Sequence, residues 1–82
     1  MHVQEATLDI RTRLIEIIGE EADLSAEEVI ALQSFEDAID SLTLLVIIAD
    51  IEREIGVKIP DEQISRLRTL DDAVVLVSLS LS

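Results

Sequence analysis

Residues 41–55 constrain the fold more than any other part of the chain, because their aliphatic side chains recur with the period of an α-helix. At 100° per residue, one narrow stripe of this segment consists of Leu44, Ile48, Ile51 and Ile55, with Ile47 at its edge. The stripe predicts a helix that buries one face in a core. Asp40 is suited to cap its N-terminus, because a carboxylate accepts hydrogen bonds from the free amides of the first turn. Gly56 is suited to end it.

A first helix is predicted before this segment, from about Val3 to Ile18, and Gly19 supplies a stop. The side chains of its inward face are Val3, Ile10, Leu14, Ile17 and Ile18. An acidic connection of residues 20–40 follows. Ser25 and Glu28 form a capping-box pattern that predicts one short helical turn there. Four apolar residues are expected to hold the connection against the core: Leu24, Val29, Leu32 and Phe35.

Two more helices are predicted after Gly56. A short one starts at Asp61, because the preceding Pro60 and the acidic first turn both suit a helix start. The last one is capped by Thr69, with Asp72 in the acidic position of a capping box. Its inward residues are Leu70, Ala73, Val74, Val77 and Leu81. Residues 74–77 also suit a strand by propensity, but no other segment has a comparable strand signal.

These segments predict an all-α fold, a four-helix bundle with a short third helix and a long loop between the first and second helices. The 82 residues are expected to form one domain, residues 1–82, since hydrophobic residues make up 49% of the chain and no linker or repeat interrupts it. No cysteine is present, and the single histidine, His2, lies at a terminus. A catalytic triad or a zinc site is therefore not expected, and neither catalytic nor metal-ligating residues are predicted.

The charge indicates the kind of partner. The formal net charge is −12, and no positive residue lies between Arg13 and Arg53, a stretch that contains eleven Asp and Glu residues. Such a chain repels nucleic acids and anionic membranes and favours basic protein partners. The N-terminus lacks the pattern of a signal peptide, and the longest apolar run, Leu44 to Ala49, is too short to span a bilayer. A cytoplasmic monomer is expected.

The face of the second helix opposite the core stripe consists of Leu42, Val46, Ala49 and Arg53. A solvent-facing stripe is normally polar, so these residues are candidates for a partner-binding surface. The alternative is that the long acidic loop folds over them.

Several motifs resemble those of the acyl carrier protein family. Asp40-Ser41-Leu42, at the start of a predicted helix after a long acidic loop, resembles the Asp-Ser-Leu attachment motif of that family. Ile59-Pro60-Asp61-Glu62 resembles the Ile-Pro element before the third helix of the family. Residues 17–20, 27–29 and 69–73 are similar to other family segments, so the resemblance covers nearly the whole chain.

The resemblance implies a stand-alone, non-enzymatic carrier. Ser41, within the Asp40-Ser41-Leu42 motif, would be esterified with 4′-phosphopantetheine by a phosphopantetheinyl transferase that uses coenzyme A and magnesium. The thiol of this arm would hold an acyl group as a thioester. The implied partners are acyl-transferring, ketosynthase-type or adenylating enzymes with basic or apolar docking patches.

The chain departs from the family pattern in three ways. The segment Phe35-Glu36-Asp37-Ala38-Ile39-Asp40-Ser41 is two residues shorter than the family's approach to the serine and contains no glycine. Thr43 and Val46 stand where fatty-acid carriers usually have carboxylates, and Arg53 occupies a further acidic position. These departures favour polyketide or specialised fatty-acyl biosynthesis over general fatty-acid synthesis. An aminoacyl carrier, suggested by Ile39 to Leu42, and an unmodified helical adaptor remain alternatives.

Overall fold

Each segment with helical periodicity forms a helix in the computed structural model, which describes residues 3–81, with side chains from Asp9 onward. The five α-helices are α1 (Val3–Ala22), α2 (Ala26–Ala31), α3 (Ser41–Ile51), α4 (Asp61–Ile64) and α5 (Leu70–Leu81). A π-helical turn, Glu52–Gly56, continues α3, and a 3-10 turn, Phe35–Asp37, lies between α2 and α3. No strand forms within residues 3–81, so residues 74–77 are helical and the all-α prediction is confirmed.

The core lies between the three long helices, because α1 packs against both α3 and α5. Each long helix contributes the apolar face that its periodicity predicts. The fully buried side chains of largest volume are Leu14, Ile18, Val29, Ile47, Ile51 and Val77. Burying a side chain of this size stabilises the fold by about 1.5–3 kcal/mol relative to leaving it in water. The apolar residues that α3 buries lie toward the core, and the side chains on its opposite face are exposed to solvent.

The predicted end of the first helix is wrong. α1 does not stop at Gly19 but continues to Ala22, and the chain turns at Asp23, whose φ is 57°. Gly19 instead permits a close approach of the backbone: the Leu24 amide donates to the Gly19 carbonyl at 2.9 Å. A Cβ atom on Gly19 would lie 2.7 Å from the Leu24 carbonyl oxygen. Glycine is needed at position 19 because the chain passes close to it at Leu24. Helical periodicity does not show this contact.

Replacing Gly19 by Ala is expected to lower the free energy of unfolding by about 1–3 kcal/mol, because the added methyl group collides with a backbone atom that cannot rotate away. The sign is informative, since alanine is the better helix former by about 1 kcal/mol in an open helix. Urea unfolding monitored by circular dichroism would measure the change. The exposed neighbour Glu20→Ala serves as control, with an expected change within about 0.5 kcal/mol. A Gly19→Ala variant that is more stable than the wild type would contradict this account.

Helices α2 and α5 begin where their caps predict. The Ser25 hydroxyl accepts from the Glu28 amide at 3.1 Å, and a Glu28 carboxylate oxygen accepts from the Ser25 amide at 3.0 Å. At the start of α5, the Thr69 hydroxyl accepts from the Asp72 amide at 3.2 Å, and the Asp72 carboxylate accepts from the Thr69 amide at 3.2 Å. The capping-box predictions are therefore confirmed, and the turn that starts at Ser25 is a six-residue helix.

Two other predictions concern the ends of the chain. Leu70, Ala73, Val74 and Val77 are buried as expected, but Leu81 is half exposed, because it is the last residue of α5 and the core ends before it. His2 lies outside the described residues, and the side chain of Val3 lies outside the described side chains.

Gly56 ends the second long helix as predicted, with a φ of 82° that favours glycine. Among the described helices, none has the length and apolarity needed to cross a membrane.

Candidate functional site

The N-terminus of α3 is built by Asp40. This residue is in an extended conformation, and its carboxylate accepts a hydrogen bond from the Thr43 amide at 2.7 Å. Its carbonyl accepts the first bond of the helix, from the Leu44 amide, at 2.9 Å. The bond from the Thr43 backbone stabilises the ionised carboxylate and holds the pKa of Asp40 below its ordinary value. Asp40 thus sets the start of α3, so that Ser41 occupies the first position of the helix.

Ser41 is the first residue of α3, and it is exposed. Free amides of a first helical turn carry partial positive charge, which suits a phosphodiester at this position. A hollow of about 460 Å³ lies beside the serine, between the start of α3 and the segment around α4. Its apolar lining consists of Ile39, Leu44, Ile64 and Leu67, and its polar lining of Glu36, Asp40, Ser41 and Ser65. An attached arm can therefore leave Ser41 along an open, partly apolar surface.

The short approach to Ser41 is held by two buried side chains. Phe35 is 2% exposed, and its amide donates to the Arg68 carbonyl at 2.6 Å, which ties the loop to the segment before α5. The Ile39 amide donates to the Phe35 carbonyl at 2.8 Å, and the Ile39 side chain is also buried. Of the residues expected to hold the connection, Val29 and Phe35 are buried, while Leu24 and Leu32 pack against the core in part. These contacts position Ser41 although the segment that leads to it contains no glycine.

The outward face of α3 is open to solvent. Leu42 is 77% exposed and Val46 is 48% exposed, and Ala49 and Arg53 are also exposed. The acidic loop does not cover these residues, so the alternative of a covered stripe is excluded. Leu45, which the predicted stripe does not include, is 53% exposed. The helical angles place Leu45 between Leu42 and the core stripe, so a wider definition of the outward stripe includes it.

One charged residue of α3 is buried. Asp50 is 8% exposed, and its carboxylate accepts a hydrogen bond from the Arg53 guanidinium at 2.6 Å. A hydrogen bond with Asp50, together with partial desolvation, raises the pKa of Glu21 on α1. Arg53 thus neutralises a carboxylate between two helices and still exposes most of its side chain. The spacing of three residues allows such a pair on one helix, but periodicity does not show that Asp50 is buried.

Replacing Asp40 by Ala is expected to lower the midpoint of thermal unfolding at pH 7, and the difference from the wild type is expected to close in acid. The native pKa of Asp40 lies below its unfolded value of about 3.9, so its stabilisation is complete above that value. The stabilisation is lost as the pH falls through the native pKa. Thermal unfolding of both proteins from pH 7 to about pH 2 measures this. Asp37→Ala is the matched control, and an equal pH dependence of both variants would refute the assignment.

Comparison with known proteins defines the class to which this site belongs. The family profile described as "Phosphopantetheine attachment site" matches residues 12–76, which include the start of α3 and the hollow beside Ser41. A helical bundle of this kind is a phosphopantetheine-dependent carrier domain.

Individual relatives agree with this class. An acyl carrier protein of Kineococcus radiotolerans is 42% identical over 72 residues, covering 85% of this chain and 89% of the relative. Another, of Myxococcus xanthus, is 43% identical over 68 residues, covering 80% and 86%. The crystal structure of an acyl carrier protein of Thermotoga maritima superposes with a TM-score of 0.77 at 25% identity, covering 98% of this chain and 95% of that chain. This chain belongs to the acyl carrier protein family.

The family resemblance predicted from the motifs is therefore confirmed, and so are the acyl carrier function and the 4′-phosphopantetheine cofactor. Acyl carrier proteins are carriers and not catalysts, and they interact with phosphopantetheinyl transferases and biosynthetic enzymes.

Proposed function

We propose that Ser41 carries the 4′-phosphopantetheine arm and that the chain presents acyl groups on it to enzymes of a polyketide or specialised fatty-acyl pathway in the cytoplasm. The observation that carries the proposal is the exposed Ser41 at the first position of α3, directly after the Asp40 cap. Because all the relatives described above are named acyl carrier proteins, an acyl cargo is favoured over an aminoacyl one. The chain itself contributes no catalytic residue in this proposal.

The residues around Ser41 suit its modification. A separate transferase would remove the hydroxyl proton and direct the serine oxygen at the β-phosphorus of coenzyme A, so that the new Ser–O–P bond forms as the bond to the nucleotide part breaks. The exposed position admits that enzyme, and the helix N-terminus stabilises the phosphodiester. Asp40 holds the serine at the start of the helix, and Leu42 lies beside it as an exposed apolar contact. Once attached, the arm supplies a thiol for thioester formation.

The exposed stripe of Leu42, Val46, Ala49 and Arg53 is the proposed contact surface for partner enzymes. It begins next to Ser41, so an enzyme that binds it receives the arm at its own active site. The proposed partners are a phosphopantetheinyl transferase and acyl-transferring, ketosynthase-type or adenylating enzymes. Three apolar side chains on a solvent-facing helix are the physical support for a protein partner.

The first test is the intact mass of the protein after incubation with coenzyme A, magnesium and a broad-specificity phosphopantetheinyl transferase. We expect the gain of one phosphopantetheine, and peptide fragmentation should map it to Ser41. The result that would overturn the proposal is no gain with several transferases while a known carrier is modified in the same reactions. An unmodified adaptor that acts through its surface would then be the better explanation.

A further inference from the structure

The segment that connects α3 to α5, residues 57–69, forms one wall of the hollow beside Ser41, through Ile64, Ser65 and Leu67. We call this segment the strap. It also lines a second hollow, of about 390 Å³, against the later part of α3. The half-buried Ile64 side chain lines both hollows. The position of the strap therefore decides how far each hollow is open.

The middle of the strap is weakly held. α4 comprises only the four residues Asp61–Ile64, too few for a helix to be stable through its own backbone bonds. Its N-cap, Pro60, provides no side-chain hydrogen bond. Among the described elements, α4 makes only weak contact with any other helix. The position of α4 must therefore come from the parts of the strap on either side of it.

Both ends of the strap are fixed by a hydrogen bond to another segment. At the C-terminal end, the Arg68 carbonyl accepts from the Phe35 amide at 2.6 Å, and the neighbouring Leu67 side chain is buried. At the N-terminal end, a Glu52 carboxylate oxygen accepts from the Ile59 amide at 2.8 Å, and the Ile59 side chain is buried. The first bond joins two backbone groups, whereas the second depends on a single side chain.

The π-helical turn Glu52–Gly56 presents this side chain to the strap. Its bond to the Ile59 amide is partly buried, and an ionised carboxylate makes a stronger bond to an amide than a neutral oxygen does. Glu54, in the same turn, binds Arg13 of α1 instead, at 2.6 Å. The turn thus has two carboxylates with different tasks, because one contacts the strap and the other contacts a long helix.

We infer that Glu52 is a positioning residue that holds the strap against α3, and that the strap opens at α4 when the bond to the Ile59 amide is lost. Opening moves Ile64 and Leu67, and with them one wall of the hollow, away from Ser41. Glu52 thereby sets how much of the apolar lining an arm attached to Ser41 can reach. This consequence for the arm rests on the proposed function, whereas the opening of the strap does not.

The chain contains no cysteine, so a single introduced thiol can report the opening. Leu67→Cys places a thiol at a buried position of the strap, where an uncharged disulfide reagent reaches it only after the strap opens or the protein unfolds. Val77→Cys places a thiol in the core, where it reports unfolding of the whole protein. We expect the thiol at position 67 to react at least about tenfold faster than the thiol at position 77.

Three further substitutions, each combined with Leu67→Cys, test the role of Glu52. Glu52→Ala is expected to raise the labelling rate about tenfold, as the loss of one charge-assisted hydrogen bond predicts. Glu52→Gln retains an acceptor oxygen and is expected to raise the rate less than about threefold. Glu54→Ala is the matched control and is expected to stay within about twofold, because the bond to Arg13 lies outside the strap and persists when the strap opens.

Three results would overturn the inference. Equal labelling rates at positions 67 and 77 would mean that the strap does not open separately from the rest of the protein. An unchanged rate in Glu52→Ala would mean that another contact holds the strap. A Glu54→Ala variant as fast as Glu52→Ala would mean that labelling follows overall stability.

Hydrogen exchange gives the same comparison without an introduced thiol. The Leu67 amide donates to the Ile64 carbonyl at 3.1 Å, so its exchange rate should rise in Glu52→Ala and not in Glu54→Ala. Both measurements use the protein before loading. Failure of phosphopantetheine loading would therefore contradict the proposed role of Ser41 and leave the result for Glu52 standing, and the reverse holds as well.

Discussion

Replacing Ser41 by Ala is expected to abolish loading of phosphopantetheine, because the substitution removes the only atom to which the phosphate is proposed to bond. The fold should be unaffected, since Ser41 is exposed and the Asp40 cap bonds to the Thr43 amide and not to the serine side chain. The loaded fraction after incubation with coenzyme A, magnesium and a transferase, measured as intact mass, is expected to fall below detection.

The matched control for this variant is Ser65→Ala. Ser65 is also an exposed serine, and it lines the same hollow beside Ser41. Its hydroxyl donates only a long bond to the Glu62 carbonyl, at 3.4 Å, so its removal should disturb little. We expect the Ser65→Ala protein to be loaded at the wild-type rate. Loading that persists in Ser41→Ala, or that is lost in Ser65→Ala, would move the attachment site away from the start of α3.

Replacing Phe35 by Ala is expected to lower the free energy of unfolding by about 3–5 kcal/mol, as is typical of a buried aromatic residue cut back to alanine. Phe35 is the only aromatic residue of the chain and is 2% exposed, so its loss leaves a large cavity. Total stabilities of small domains are about 5–15 kcal/mol, and the variant should therefore be close to unfolding. Chemical denaturation at 25 °C measures the difference.

Two control variants test whether the loss of stability comes from the cavity. Phe35→Leu fills most of the cavity and is expected to cost less than the alanine variant. Val75→Ala changes an exposed side chain on α5 and is expected to stay within about 0.5 kcal/mol. A loss below about 1 kcal/mol for Phe35→Ala would mean that the loop before Ser41 does not depend on this side chain. Because the same loop positions Ser41, we also expect phosphopantetheine loading to be slower in the destabilised variant at temperatures where it remains folded.

The helices and the candidate site could be predicted largely from local sequence. Apolar periodicity found the long helices, because a side chain every three or four residues lies on one face wherever the helix is placed. Asp40, Ser25 and Thr69 marked helix starts correctly, since a cap satisfies amides within four residues of itself. The Asp40-Ser41-Leu42 motif and its spacing to Ile59-Pro60 indicate the family from the sequence alone.

Contacts between distant segments decided the rest. Gly19 lies inside α1 because the chain returns over it at Leu24, and Asp50 is buried where α1 packs against α3. The exposure of Leu42 and Val46 also depended on the path of the loop, which could have covered them. Helical periodicity is a property of one segment, whereas a close backbone approach, a buried carboxylate and an open face arise only when several segments pack together.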